Sequence, residues 1–215
     1  MLKSFVKKFL NEKQIILWRK YYFKLRSFFF PNNLPFLALA HGTDKEGFHS
    51  YCKYYQHHLK SIKRHKLNIL EIGVGGYESP NEGGNSLRMW KNYFKKSNIV
   101  GIDIFDKSKL NEDRIKIFQG SQTDEVFLKS VASKIGKIDI VIDDGSHINN
   151  HVIETFKILF PLINKDAIYI IEDLQTSYWT NSSGIDWGGS RNLNDPKTSM
   201  NFIKGLVDCI YHKDF

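Results

Sequence analysis

The 215-residue chain is 41% hydrophobic, 25% charged and 14% aromatic, a composition typical of globular domains and unlike that of disordered proteins. Its two cysteines, Cys52 and Cys209, are too few for a disulfide scaffold or a cysteine-ligated zinc site. No apolar run reaches the ~18 residues that cross a bilayer. We therefore expect a cytoplasmic protein with one domain and an appendage.

The positive charge is concentrated at the N-terminus. Residues 1–30 carry eight Lys and Arg residues against one acid, Glu12, and so supply +7 of the net charge of +8. Apolar residues recur there at helical spacing, which predicts a basic, aromatic helical segment over residues 1–35. It either packs on the body or on a partner subunit, or lies on the inner face of an anionic membrane. One basic helix is poor evidence for nucleic-acid binding, so nucleic acid is not an expected partner.

From residue 66 onward, short apolar runs alternate with amphipathic stretches. Strands are predicted over residues 67–72, 99–104, 115–118, 138–142 and 167–171. Helices are predicted over residues 41–64, 86–95, 124–135, 150–162 and 198–210. This alternation predicts an α/β fold with a doubly wound, mainly parallel, Rossmann-like sheet, whose ligands bind beyond the carboxyl ends of the strands.

A glycine-rich turn follows the first predicted strand and includes Gly73 and Gly75. Asp103 ends the next strand, where a carboxylate can accept hydrogen bonds from ribose hydroxyls. The dinucleotide fingerprint is incomplete, because Glu78 stands at its last glycine position and would repel a diphosphate. With Glu71, these acids favour an adenosyl ligand that carries ammonium and sulfonium charge. A nicotinamide-dependent dehydrogenase is the alternative.

Three carboxylates, Asp144, Glu172 and Asp173, follow two further predicted strands. Oxygen ligands of this kind suit a hard cation such as Mg²⁺, and carboxylates clustered without a cation would repel one another. His147 lies three residues after Asp144, where a neutral imidazole could remove a proton from a hydroxyl. The alternative is that the acids cap helices or face solvent.

Several segments also resemble one family in their order and spacing. They are HGTDK at 41–45, LEIGVGG at 70–76, GNSLRMW at 84–90, FQGSQ at 118–122, IDDGSH at 142–147 and IEDLQTSYW at 171–179. This set is similar to the class I, Mg-dependent, S-adenosylmethionine-dependent O-methyltransferases that act on macrolide sugars, with cephalosporin hydroxylase-like proteins as relatives. The resemblance makes residues 36–215 a methyltransferase domain.

The resemblance implies a role for each motif. His147 is the general base and works with Asp144, which together with Glu172 and Asp173 binds Mg²⁺. Tyr178 and Trp179 shape the acceptor pocket. The positions implied for S-adenosylmethionine are Glu71, Gly73, Gly75, Asp103, Ser121, Gln122 and Asp143.

The implied activity is methyl transfer to a hydroxyl of a sugar, glycoside or nucleotide-sugar in bacterial polysaccharide or glycoside biosynthesis. The chain reaches Phe215 without the antiparallel strand pair that usually ends the family's sheet, so we expect a C-terminally shortened domain that forms a homo-oligomer. A phenolic or other small-molecule O-methyltransferase is one alternative, although the phenolic enzymes carry an Asp-Asn pair where this chain has Glu172-Asp173. A non-catalytic cofactor-binding remnant is the other alternative.

Overall fold

The computed structural model describes residues 30–182 and 184–210, together with Gln14, Trp18, Tyr21, Tyr22, Leu25, Phe28 and Phe29. Most of the segment predicted over residues 1–35 therefore lies outside the described residues, as does its predicted contact with a subunit or a membrane. Among the helices that are described, none is both long enough and apolar enough to cross a bilayer.

Five parallel strands form the central sheet in the order β3-β2-β1-β4-β5. They are β1 (Asn68–Ile72), β2 (Asn98–Asp103), β3 (Ile115–Gln119), β4 (Ile140–Asp143) and β5 (Ile168–Ile171). The strand order reverses between β1 and β4, the position where doubly wound sheets open a ligand crevice. The predicted doubly wound parallel sheet is confirmed, and each strand lies within two residues of its predicted bounds.

Helices cover both faces of the sheet. They are α1 (Leu34–His41), α2 (Cys52–Leu59), α3 (Asn85–Tyr93), α4 (Glu125–Ile135), α5 (Asn149–Leu159) and α6 (Ser199–Asp208). Short 3₁₀ helices span Ser108–Leu110, Phe160–Leu162 and Leu174–Tyr178, and a separate antiparallel hairpin pairs β6 (Asn181–Ser182) with β7 (Ile185–Asp186).

The core has two halves because successive strand residues point to opposite faces of the sheet. Ile69 packs with buried residues of α1 and α3, such as Leu34 and Trp90. Its neighbour Leu70 packs in the other half with Leu128 of α4 and residues of α5. Each such side chain contributes ~1.5–3 kcal/mol on full burial, so both layers hold the strand ends in a fixed relation.

Capping residues explain why several helix boundaries were predictable. Asp124 accepts a hydrogen bond from the Phe127 amide at the start of α4, and Thr198 caps α6 in the same way. The helix predicted over residues 150–162 ends earlier, at Leu159, and continues as the 3₁₀ turn Phe160–Leu162. Pro161 in that turn has no amide hydrogen to continue the α-helical pattern.

The single helix predicted over residues 41–64 is wrong. Of these residues, His41 ends α1 and Cys52–Leu59 forms α2, whereas residues 42–51 form a loop that contains an isolated bridge between Glu46 and Ser50. Gly42, with φ +71°, ends α1 in the left-handed region. The loop turns back over the carboxyl ends of the strands, where it contributes several side chains to the site described next.

Candidate functional site

A cavity of about 1180 Å³ opens at the carboxyl ends of the strands. The glycine turn after β1 forms one wall, and the segment after β4 forms another. At Gly73 the backbone has φ +88°, and a Cβ there would overlap the Asp144 carbonyl. The glycine thus allows the ends of β1 and β4 to approach closely at the strand-order reversal.

Asp103 shapes the turn that faces this cavity. Its carboxylate accepts hydrogen bonds from the Val74 amide and the Phe105 amide, both at 2.9 Å. Each carboxylate oxygen can accept more than one hydrogen bond, so the side chain can also receive hydroxyl groups from a ligand. Asp103 lines the cavity, as predicted from its place at the end of β2.

Ser121 and Gln122 line the cavity from the segment after β3. Gln122 accepts a hydrogen bond from the Ser146 amide at 2.8 Å and donates one to Thr155 at 3.0 Å, so it links this segment to the β4 loop. Asp143 lies deeper and is buried, and burial raises the pKa of its carboxyl to about 7. Neither Asp143 nor Glu71 is among the described residues that line the cavity.

Asp144, His147 and Asp173 form a cluster that could hold a cation, with ligand atoms within 4.8 Å of one another. His147 Nε2 lies 3.7 Å from Asp144 Oδ1 and 3.7 Å from Asp173 Oδ2. His147 and Asp173 both adopt left-handed backbone, with φ +58° and +53°. Such a conformation costs about 1–3 kcal/mol for a residue other than glycine and is concentrated at functional sites.

A lysine that sequence reasoning assigned no role lies beside this cluster. The Lys45 side chain is buried, and its Nζ lies 2.6 Å from Asp144 Oδ2, 2.6 Å from Glu172 Oε1 and 3.4 Å from Glu71 Oε1. Burial alone would lower the pKa of Lys45, but the three carboxylates raise it well above its usual range, so the side chain is an ammonium.

Two tyrosines also donate hydrogen bonds to the acids of the site. Tyr51 donates a hydrogen bond to Asp173 Oδ1 at 2.6 Å, and Tyr55 donates a short one to Glu172. Partial burial raises the pKa of Asp173. The hydrogen bond from Tyr51 and the nearby His147 lower this pKa by more than burial raises it, so the net shift is downward. For Glu172, burial raises the pKa and the Lys45 ammonium opposes that shift.

The arrangement suits the ligands that the sequence predicted. A cavity of this size exceeds the ~300–1,000 Å³ of ordinary small-molecule sites, so a nucleoside cofactor and part of an acceptor can bind side by side. The carboxylates of Asp144 and Asp173 are oxygen ligands of the type that Mg²⁺ prefers. Glu172 lies outside the three-residue cluster, held by Lys45 and Tyr55, and its role as a metal ligand stays a prediction.

Comparisons with known proteins identify relatives, although no family model matches the chain. The chain is 45% identical over 179 residues to 8-demethyl-8-α-L-rhamnosyl tetracenomycin-C 2′-O-methyltransferase of Streptomyces olivaceus, over 83% of this chain and 46% of that protein. It is 43% identical over 187 residues to mycinamicin VI 2″-O-methyltransferase of Micromonospora griseorubida, over 85% and 45% respectively. Over the part that aligns, the chain is similar to sugar O-methyltransferases.

Solved structures show the same similarity. MycE methyltransferase from the mycinamycin biosynthetic pathway, in complex with Mg, SAH and mycinamycin VI, matches with a TM-score of 0.79 and 43% identity over 84% of this chain and 48% of MycE. The resemblance predicted from the motifs is therefore confirmed. The chain spans about half the length of the sugar O-methyltransferases that it matches.

The two aromatic residues predicted for the acceptor pocket are half-exposed. Tyr178 and Trp179 are not among the described residues that line the cavity, but Trp179 packs edge-on against Trp187, with ring centroids 5.7 Å apart. Trp187 does line the cavity, and sequence reasoning missed it because it follows the β6–β7 hairpin, not a strand of the main sheet. Their roles in acceptor binding stay predictions.

Proposed function

We propose that this chain transfers a methyl group from S-adenosylmethionine to a sugar hydroxyl, with assistance from Mg²⁺ and with His147 as general base. The observation that carries the proposal is that the glycine turn, Asp103 and the Asp144–His147 segment line one cavity. A cofactor held at the glycine turn would thus face the group that accepts the proton. The relatives named as sugar O-methyltransferases support the same reaction.

The chain's own residues perform binding, orientation and proton transfer. Gly75, where a Cβ would meet open space, leaves room for the cofactor, and Gly73 lets the turn approach the end of β4. Asp103 accepts hydrogen bonds from the ribose. Bound S-adenosylmethionine would supply an electrophilic methyl group, and Mg²⁺, which Asp144, Asp173 and Glu172 would hold, would supply positive charge that stabilises an ionised hydroxyl. A ring nitrogen of His147 accepts the hydroxyl proton.

Orientation is the larger contribution of the protein. Asp144 and Asp173 each place one oxygen toward His147 and have the other oxygen bound by a second group, Lys45 or Tyr51. The imidazole therefore lies between two fixed carboxylates, which keep it directed at the acceptor. Such fixed geometry can supply several kcal/mol of the barrier reduction in a two-substrate reaction.

We favour a glycoside as the acceptor. The names of the relatives give a rhamnosyl tetracenomycin-C and mycinamicin VI as the methylated compounds. These names favour glycoside biosynthesis over the polysaccharide pathway that was also expected from the sequence. The aromatic pair Trp179 and Trp187 offers ring faces suited to the apolar side of a sugar.

The first experiment is calorimetric titration with S-adenosylhomocysteine and, separately, with NAD. We expect micromolar affinity for the former and no heat from the latter. A radiolabelled methyl-transfer assay then compares rhamnosides, nucleotide-sugars and catechols with and without Mg²⁺. Binding of NAD alone would refute the proposal, and methylation of catechols alone would replace its acceptor class.

A matched pair of histidine variants tests the proton acceptor. His147→Ala should abolish turnover and keep cofactor affinity, whereas His58→Ala, at an exposed position on α2, should match the wild type in both. Equal turnover in the two variants would remove His147 from the mechanism.

A further inference from the structure

The Lys45 ammonium lies where two neighbouring strand ends bring their acids together. Asp144 follows β4, Glu172 follows β5, and Lys45 Nζ bridges the two carboxylates at 2.6 Å each, with Glu71 of β1 behind it at 3.4 Å. A cation between two carboxylates is the arrangement that a bound metal ion would itself provide. The side chain reaches this place from the loop over residues 42–51, which belongs to no strand or helix.

Mg²⁺ is a second cation that could occupy this position. The three-residue cluster of Asp144, His147 and Asp173 offers two carboxylates and one imidazole, but Mg²⁺ strongly prefers oxygen ligands. Glu172 is the neighbouring carboxylate that would complete an oxygen-rich set. It is engaged by Lys45, and so is one oxygen of Asp144.

We propose that Lys45 is an internal counter-cation that competes with the metal for Asp144 and Glu172. The ammonium neutralises the buried acids and keeps them in place when no metal is bound. A metal bound by Glu172 Oε1 and Asp144 Oδ2 displaces Lys45 from these two oxygens, so metal binding moves the lysine. This inference rests on the metal component of the proposed function.

Removal of the competing charge tests the inference. Lys45→Met has an unbranched side chain of similar length without the ammonium, and it should bind Mg²⁺ more tightly, by about tenfold or more, because a positive charge next to the site has gone. Isothermal titration with MgCl₂ gives the affinity, and the Mn²⁺ electron paramagnetic resonance signal gives an independent value. Neither measurement depends on catalysis.

Two matched variants serve as controls. Lys45→Arg keeps a positive charge and should retain the metal affinity of the wild type within a few-fold. Lys107→Met removes another fully buried ammonium, which binds the carbonyl oxygens of Ser79 and Glu82 at 2.6 and 3.1 Å and not the acids. Its metal affinity should be unchanged. A folded Lys45→Met with equal or weaker metal affinity would overturn the inference.

A measurement on the wild-type protein covers the case in which Lys45→Met does not fold. In protein labelled with ¹³C-lysine, the Lys45 Cε signal, assigned by its loss in Lys45→Arg, should shift when MgCl₂ is added. A signal that stays unmoved at the highest MgCl₂ concentration overturns the inference. S-adenosylhomocysteine binding, titrated in parallel, separates this result from a failure of the methyltransferase proposal.

Discussion

Gly73→Ala should disrupt the site through the backbone alone. The glycine has φ +88°, and a Cβ there would overlap the carbonyl of Asp144 on the neighbouring strand end. The left-handed conformation costs a non-glycine residue ~1–3 kcal/mol, and relief of the overlap must move backbone that is hydrogen-bonded. We expect a total loss of about 2–4 kcal/mol, which lowers the unfolding temperature by about 4–16 °C for a domain of this size.

The substitution should weaken cofactor binding as well as stability. Movement of β1 away from β4 shifts the glycine turn relative to the Asp144–His147 segment, so S-adenosylhomocysteine affinity should fall by at least about tenfold. The matched control is Gly184→Ala, where φ is +78° but a Cβ would meet open space. Urea unfolding and calorimetry measure both quantities. If the two alanine variants have the same stability and affinity, the close approach at Gly73 does not shape the site.

Three other changes test separate parts of the site. Asp173→Asn should weaken Mg²⁺ binding at least about tenfold in calorimetry, because one charged ligand becomes neutral, and full activity in chelator would contradict the metal assignment. Trp187→Ala should raise KM for the sugar acceptor several-fold and leave S-adenosylhomocysteine affinity unchanged; an unchanged KM would remove this ring from the acceptor pocket. Tyr55→Phe removes the hydrogen bond to buried Glu172 and should cost about 1–3 kcal/mol in urea unfolding, whereas a stability equal to the wild type would show that Lys45 alone satisfies this acid.

The sheet was predictable because its strands are nearly continuous apolar runs and its ligand edge is set by topology. Ile140 and Val141 read as a strand from local sequence alone, and Asp144 after them had to lie at the same edge as Gly73. The reversal between β1 and β4 then placed His147 beside the cavity. In this half of the site, the apolar strand pattern of the local sequence is therefore enough to predict which distant residues lie together.

The loop over residues 42–51 could not be predicted in the same way. Its apolar and polar residues are compatible with helical spacing. Because one continuous helix was predicted over residues 41–64, the turn at Gly42 was not predicted. The burial of Lys45 results from three distant acids that attract one ammonium, a tertiary effect that exceeds the local preference. The one sequence signal was the motif at residues 41–45, which carried a resemblance but no chemical role.

The segment from Lys45 to Tyr55 therefore determines how freely the acids can move. Its side chains bind all three acids: Lys45 binds Asp144, Lys45 and Tyr55 bind Glu172, and Tyr51 binds Asp173. Asp144 and Asp173 keep their remaining oxygens toward His147. A cluster of like charges would otherwise spread apart or take up protons, and either change would misdirect the imidazole. The strands bring the acids to one edge, and the segment from Lys45 to Tyr55 keeps them as close together as the proposed reaction at one hydroxyl requires.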